Sequence, residues 1–375
     1  MEFLNEYGLF LAKTITLVVA LLFVIMIVLA NATRQKPEGK PKGHITVYKL
    51  NDELDNMKED IRHEILDEEL LKLEAKEAKK KDKAEKKAKV KALKEAAKKE
   101  AAAEKAGEEH SALEFLEDRK RIFVLSFDGD TAASDVEDLR HVITAVLQVA
   151  RSGVDAVMLR LESPGGMVHA YGLASSQLAR LRKHGVHLTI CVDKVAASGG
   201  YMMACIANDL IAAPFAYIGS IGVLVQLPNV HRLLKDNKID FEMITAGEYK
   251  RTLTTFGENT DADRAKVQEE VDEMHGLFKA FIHEYRPALD VAHVATGEVW
   301  SGTQALTKGL VDSLDTSDEW LVAKCKDADV FEVSWEHKRG ITDRLSSLFE
   351  GSLRSAIAKS LTHWMHRADK EKFFS

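Results

Sequence analysis

Residues 186–201 read VHLTICVDKVAASGGY. The first half is an apolar run of strand length. The second half is small residues around one serine, Ser198, with two glycines directly after it. A buried strand that empties into a Gly-rich helix start is expected of a parallel sheet covered on both faces. Two readings of the serine compete. In one, Ser198 caps a helix and Gly199 and Gly200 let segments pack closely. In the other, Ser198 is a nucleophile at a helix N-terminus, where backbone N–H groups are free to hold an oxyanion.

Upstream, RIFVLSFDG (121–129) and VDAVMLRLES (154–163) read as two further strands. DVEDLRHVITAVLQVARSG (135–153) and residues 167–184 read as the helices that follow them. Downstream come a helix from Ser198, a strand-like DLIAAPFAYIG (209–219), a helix VHRLLKDNK (230–238) and a strand FEMITAG (241–247). A long helix runs from about Asp261 to Tyr285 and stops at Pro287. GEVWSGTQALTKGLVDSL (297–314) reads as a turn and a small helix with a C-cap at Gly309. Strand and helix alternate, which predicts a layered α/β domain over 119–335 with right-handed crossovers. Residues 195–228 are poor in charge, but Asp209 and Pro214 interrupt them and glycines punctuate them, so they read as core rather than as a membrane span.

The flanks differ in kind. Residues 8–30, GLFLAKTITLVVALLFVIMIVLA, are apolar apart from Lys13 and long enough to cross a bilayer. Glu2 and Glu6 precede them, and LANATRQ is a weak cleavage-like pattern, so residues 1–34 read as a retained anchor rather than a signal peptide. Arg34, Lys36, Lys40 and Lys42 follow the span, which by the positive-inside rule puts the body in the cytoplasm. Residues 35–118 read as a charged helical arm. It opens with a Pro/Gly/Lys linker over 35–44 and an apolar helical seam from Val47. Residues 51–70 then carry a net −7 and residues 71–106 a net +7. The tail, 336–375, is amphipathic, with Leu345, Leu348, Leu353, Ile357 and Leu361 on one face. The whole chain of 375 residues carries a net charge of −7, which argues against a nucleic-acid partner. Cys191, Cys205 and Cys325 have neither CxxC nor metal spacing, and no cofactor or metal is expected.

SPGG (163–166) ends a buried strand and opens a helix, as ASGG does. Loops at the carboxyl ends of neighbouring parallel strands face one crevice. Amides of Gly165 or Gly166 and of Gly199 would therefore converge beside the Ser198 hydroxyl, the arrangement acyl transfer needs. A serine needs a base. His187 lies at the wrong end of its strand, and His169 reads as a helix-surface residue. A lysine serves if desolvation keeps its amine neutral. Lys194 and Lys250 are both candidates, and local pattern does not choose between them.

LESPGGMVHAYG, VDKVAASGGYMMA, APFAYIGSIGVL, TAGEYKRTL and ATGEVWSGTQALTKGLVD together resemble the signal peptide peptidase A family of serine peptidases. The resemblance covers about 120–315. It is closest to the family's membrane-anchored branch with one catalytic domain. It implies a Clp-protease/crotonase-like layered fold, Ser198 as nucleophile and Lys250 of the GxYK motif as general base. It also implies homo-oligomeric rings in which the lysine of one subunit reaches the serine of its neighbour. Ser220 in GSIG is a further site-lining candidate. The expected function is a membrane-anchored serine endopeptidase acting on peptides or membrane-associated proteins, residual signal peptides among them. The expected place is the bacterial inner membrane, single-pass. The side stays open, because the resemblance implies a catalytic domain outside the cytoplasm. A non-catalytic membrane scaffold and an acyl-CoA-type enzyme on the same fold are the alternatives.

Overall fold

In the computed structural model, the described residues are 43–67 and 119–337, together with Lys13, Thr14, Thr16, Lys87 and Lys91. The span expected over 8–30, the Lys-rich block and the amphipathic tail lie outside them, apart from those few residues and two tail positions. Among the described residues no helix is long and apolar enough to cross a membrane. The elements run β1 (Gly43–Lys49), α1 (Leu50–Ile65), β2 (Arg121–Asp128), α2 (Val136–Leu147), β3 (Ala156–Glu162), α3 (Val168–Lys183), β4 (His187–Val192), β5 (Val195–Ala197) and α4 (Gly199–Ala204). Then follow β6 (Asp209–Ala212), β7 (Tyr217–Gly219), α5 (His231–Asp236), α6 (Asp261–Tyr285), α7 (Val291–Val294), β8 (Val299–Ser301), α8 (Gly302–Thr307), β9 (Ser313–Leu314), α9 (Ser317–Cys325) and β10 (Asp329–His337).

The main sheet has the strand order β1-β10-β2-β3-β4-β6-β9. Its pairings from β10 through β9 are all parallel. β2, β3 and β4 are buried almost throughout because helices cover both faces, which is why they read as continuous apolar runs. A second sheet, β5-β7-β8, is mixed, with β5 parallel and β8 antiparallel to β7. The architecture is thus the expected layered α/β type.

Three differences from the sequence reading have physical causes. DLIAAPFAYIG is not one strand. It breaks after Ala212, before Pro214, and its halves join different sheets, β6 in the first and β7 in the second. Val47 sits in a strand rather than a helix: β1 borders β10, and the helix begins only at Leu50. That junction is pinned by Asn51. Its side-chain amide donates to the carbonyls of Cys325 and Ala328 and its oxygen accepts from the Val330 amide. Among the described residues, 45–67 fall in one compact unit with 119–335. Finally, 241–247 form no strand. No described strand pairs with them, and Phe241, Met243 and Ile244 are exposed. Elsewhere α6 has the expected bounds, opened by a capping box between Thr260 and Asp263.

Candidate active site

Two chain reversals meet at the carboxyl ends of β3 and β5. The Ser163 amide donates to the Val195 carbonyl at 2.8 Å, and the Ala197 amide donates to the Ser163 carbonyl at 3.0 Å. Ser163 therefore ties the SPGG turn to the three residues that lead into Ser198. A Cβ on Gly200 would stand 2.5 Å from the Ser163 carbonyl oxygen, so only glycine permits this approach.

Ser198 itself has φ 53° and ψ −118°, a conformation that non-glycine residues rarely adopt. The surroundings hold it there. Its amide donates to the Gly219 carbonyl at 2.8 Å, and its carbonyl accepts the Met202 amide at 3.0 Å, closing the first turn of α4. Strain of this kind persists only where neighbours over-determine it, and it concentrates at functional sites. Ser198 is half-buried, while Gly199 is buried. Among the described hydrogen bonds, no acceptor takes the amide of Gly199 or of Gly166. The Gly165 amide, by contrast, donates to Ser163 Oγ at 3.1 Å. Gly165 has φ +88°, and a Cβ there would lie 2.6 Å from the Ala197 carbonyl oxygen and 2.7 Å from the Gly199 nitrogen.

Beside Ser198 opens a cavity of about 280 Å³. Its walls include Val168, Met202, Val223 and, from α6, Met274, Leu277 and Phe281. It is an apolar slot ending at the serine. Ser220 is half-buried with φ 50°, and its amide donates to the Glu298 carbonyl at 2.6 Å.

The basic candidates separate clearly. Lys194 Nζ pairs with Glu162 at 2.7 Å, and that hydrogen bond and charge push the amine up, the wrong direction for a neutral base. His169 is exposed, and His187 is engaged with Asp209 at 2.7 Å. Lys250 is exposed, in a turn where its amide donates to the Gly247 carbonyl, and it does not line the cavity beside Ser198. One chain thus brings together Ser198, the glycine turns and the apolar slot, and leaves Lys250 on the surface. Two residues not singled out in the sequence belong to the site as well. They are the Ser163 side chain and Tyr171, whose ring a Cβ on Gly199 would strike. Both were visible only as a polar residue before Pro-Gly and an aromatic one turn into the next helix.

The family models decide the identity. Residues 2–178 match Peptidase family S49 N-terminal, and residues 180–330 match Peptidase family S49. The chain belongs to peptidase family S49. It is 39% identical over 355 residues to a putative protease SohB of Buchnera aphidicola subsp. Baizongia pistaciae, covering 95% of this chain and 96% of that one. It is 43% identical over 324 residues to a probable protease SohB of Buchnera aphidicola subsp. Schlechtendalia chinensis, covering 86% of this chain and all of that one. It is 50% identical over 251 residues to a probable protease SohB of Haemophilus influenzae, covering 66% and 71%. The resemblance to the signal peptide peptidase A family, read from five motifs, holds across the chain. As an S49 member the chain is a serine peptidase, which sets aside the scaffold and the acyl-CoA-type alternatives.

Proposed function

We propose that this S49 peptidase is a membrane-anchored endopeptidase with a Ser198–Lys250 dyad shared between neighbouring subunits of a homo-oligomeric ring. The observation that carries the reading is the strained Ser198, flanked by unengaged glycine amides at the end of an apolar slot. The layered domain with its second small sheet suits the Clp-protease/crotonase type of fold.

In this reading Lys250 Nζ, neutral, takes the proton from Ser198 as Oγ attacks a peptide carbonyl carbon. The carbonyl oxygen becomes an oxyanion and accepts hydrogen bonds from Gly199 and Gly166. The Gly165 amide is engaged by Ser163, so of the three glycines its contribution is to shape the turn. The intermediate collapses, the C–N bond breaks, and protonated Lys250 delivers its proton to the leaving amine. Water then repeats the sequence on the acyl-enzyme. The slot favours an apolar substrate side chain next to the scissile bond. Substrates are apolar peptide segments, with residual signal peptides among them.

A lysine acts as base only where it is desolvated. Lys250 is exposed in the single chain, so its desolvation must come from a neighbour. The segment that carries it supports this: Leu224, Ile239, Ile244 and Tyr249 are all more than half exposed, an apolar surface suited to another copy. Residues 8–30 would anchor the assembly in the bacterial inner membrane. Ser220, half-buried beyond Gly219, is a candidate partner for the incoming amine.

The test is chemical. A fluorophosphonate probe should label full-length protein in membranes on Ser198, with no adduct in Ser198→Ala and slowed labelling in Lys250→Ala. An adduct elsewhere, or wild-type labelling that Lys250→Ala leaves untouched, overturns the dyad.

A further inference from the structure

Ser163 and Tyr171 are both fully buried beneath the two glycine turns. Their hydroxyls are 2.6 Å apart, and Tyr171 Oη is 2.7 Å from the Asp130 carbonyl oxygen. Direction follows from counting protons. A carbonyl only accepts, so the single Tyr171 proton is committed to Asp130. Ser163 must then donate to Tyr171 Oη. Its remaining lone pairs face the Gly165 amide, which donates to Ser163 Oγ at 3.1 Å. Burial pushes the Tyr171 hydroxyl up, so it keeps its proton. The result is a one-way chain from Gly165 N–H through Ser163 Oγ–H and Tyr171 Oη–H to the Asp130 carbonyl.

The same two residues touch the other arm of the site. The ring of Tyr171 fills the space where a Gly199 side chain would stand, and the Ser163 backbone brackets Ala196, bonding the Val195 carbonyl and the Ala197 amide. The outer end of the chain is fixed too. The Asp130 carboxylate accepts from the Ala132 and Ser134 amides, and the Thr131 carbonyl accepts the Met167 amide just past Gly166. Resting on the Ser198 reading above, we propose that Tyr171 is a positioning residue for the oxyanion site: through the Ser163 hydroxyl and its own ring it sets the spacing between the Gly165–Gly166 turn and the Gly199 amide. The relay touches no reacting atom. It acts because two donors on separate loops must both point at one oxygen, and a displacement of about 1 Å in such a pair costs on the order of 100-fold in rate.

The experiment compares Tyr171→Phe, which keeps the ring and removes the relay, with Ser163→Ala and the double variant. The readout is the second-order rate of fluorophosphonate labelling at Ser198, whose phosphoryl oxygen needs the same amides. Each single variant should label roughly 10- to 100-fold more slowly. The double variant should lose no more than the slower single one, because both break one chain. A second measurement separates positioning from folding: in the Ser198→Ala background, affinity for an apolar peptide aldehyde's parent peptide should stay within about twofold. A purely structural role predicts a lower Tm with an unchanged labelling rate. Labelling of Tyr171→Phe within twofold of wild type, losses that multiply, or peptide affinity that falls in step would each overturn the inference. If Tyr171→Phe does not fold, the same limits apply to Ser163→Ala alone. Wild-type protein unlabelled at Ser198 sinks the nucleophile reading as well. Normal wild-type labelling with an indifferent Tyr171→Phe sinks only this one.

Discussion

Residues 163–200 and residues 223–257 are built to opposite plans. In the first segment most apolar side chains are covered, with Met167, Val168 and Leu173 the large exposed ones; contacts under 3 Å force Gly165, Gly166, Gly199 and Gly200, and Ser198 is held in a strained conformation by two hydrogen bonds. In the second, apolar side chains face outward: Ile244 is 97% exposed and Leu224 73%. Asn229 is one internal tie there, donating to the carbonyls of Thr254 and Gly257. On the proposed dyad, a chain that pre-organises Ser198 yet leaves Lys250 exposed has one half of a catalytic device. The contrast is the reason to look for the other half on a second copy.

The largest effect tests that division directly. Ser198→Ala and Lys250→Ala should each lower peptidase activity by about 10⁴-fold or more, as expected when members of one catalytic unit are removed. Mixed during assembly, the two inactive variants should regain a measurable fraction of wild-type activity, because some interfaces then pair an intact serine with an intact lysine. Co-assembled but inactive mixtures would confine the dyad to one chain and dissolve the contrast. The next effect lies in the packed segment alone. Gly165→Ala adds a Cβ at φ +88° into the Ala197 carbonyl and the Gly199 nitrogen. By pushing the Gly199 amide aside it should slow Ser198 labelling by about 10²–10³-fold, the range for losing that one oxyanion donor. A wild-type rate would mean that the turn has slack that the distances do not show.

What was legible in the sequence follows the same divide. The strands of the packed half were readable because burial on both faces leaves an unbroken apolar run, as in IFVLSF. The bounds of α6 were readable because Thr260 and Asp263 cap it and Pro287 follows it. Ser198 was readable as a candidate because small residues crowd round it, although local pattern alone did not pick Lys250 over Lys194. What stayed hidden depended on partners distant in the chain. Val47 alternates with Ile45 as a strand should, but its pairing edge comes from residues past 329. FEMITAG has strand composition and no ladder partner among the described residues. The Ser163–Tyr171–Asp130 relay spans three elements, and no spacing rule in one of them reveals it.

At the opposite end of the sheet an ion-pair cluster anchors the packed half. The Asp155 carboxylate is fully buried and receives Arg121 and Arg151 at 2.7 Å each, as well as both residues' backbone amides. Burial opposes its ionisation, but the hydrogen bonds from Arg151 and Arg121 more than offset this and hold the carboxyl well below the usual range. Because the folded pKa is depressed, the stabilisation is present above the unfolded value near 3.8 and drains away as pH falls through the folded one. Asp155→Ala should cost about 3 kcal/mol at neutral pH, the low end for breaking a buried pair, since both guanidinium groups keep some solvent. Asp155→Asn should flatten the acid limb of the Tm–pH curve below about pH 4. A parallel curve for variant and wild type would show that other carboxylates govern the acid limb.

The smallest expected effect is the sharpest probe of the exposed half. Ile218, in β7, is fully buried, and its replacement by Ala should cost about 2–5 kcal/mol at any protein concentration. Ile244→Ala removes the same atoms from a side chain that is 97% exposed. In dilute, unassembled protein it should change stability by no more than about 0.5 kcal/mol, because nothing in its own chain loses a contact. If a second copy covers Ile244, the cost should grow with protein concentration, since binding linkage stabilises only the species that can assemble. Activity should then fall in proportion to the assembled fraction rather than to folding. A neutral result at every concentration would leave Ile244 truly solvent-facing, and the case for a neighbour over the Lys250 segment would have to rest on Leu224, Ile239 and Tyr249 alone. A loss equal to that at Ile218 in dilute protein would mean instead that this segment packs within its own chain, and the two regions would no longer differ in kind.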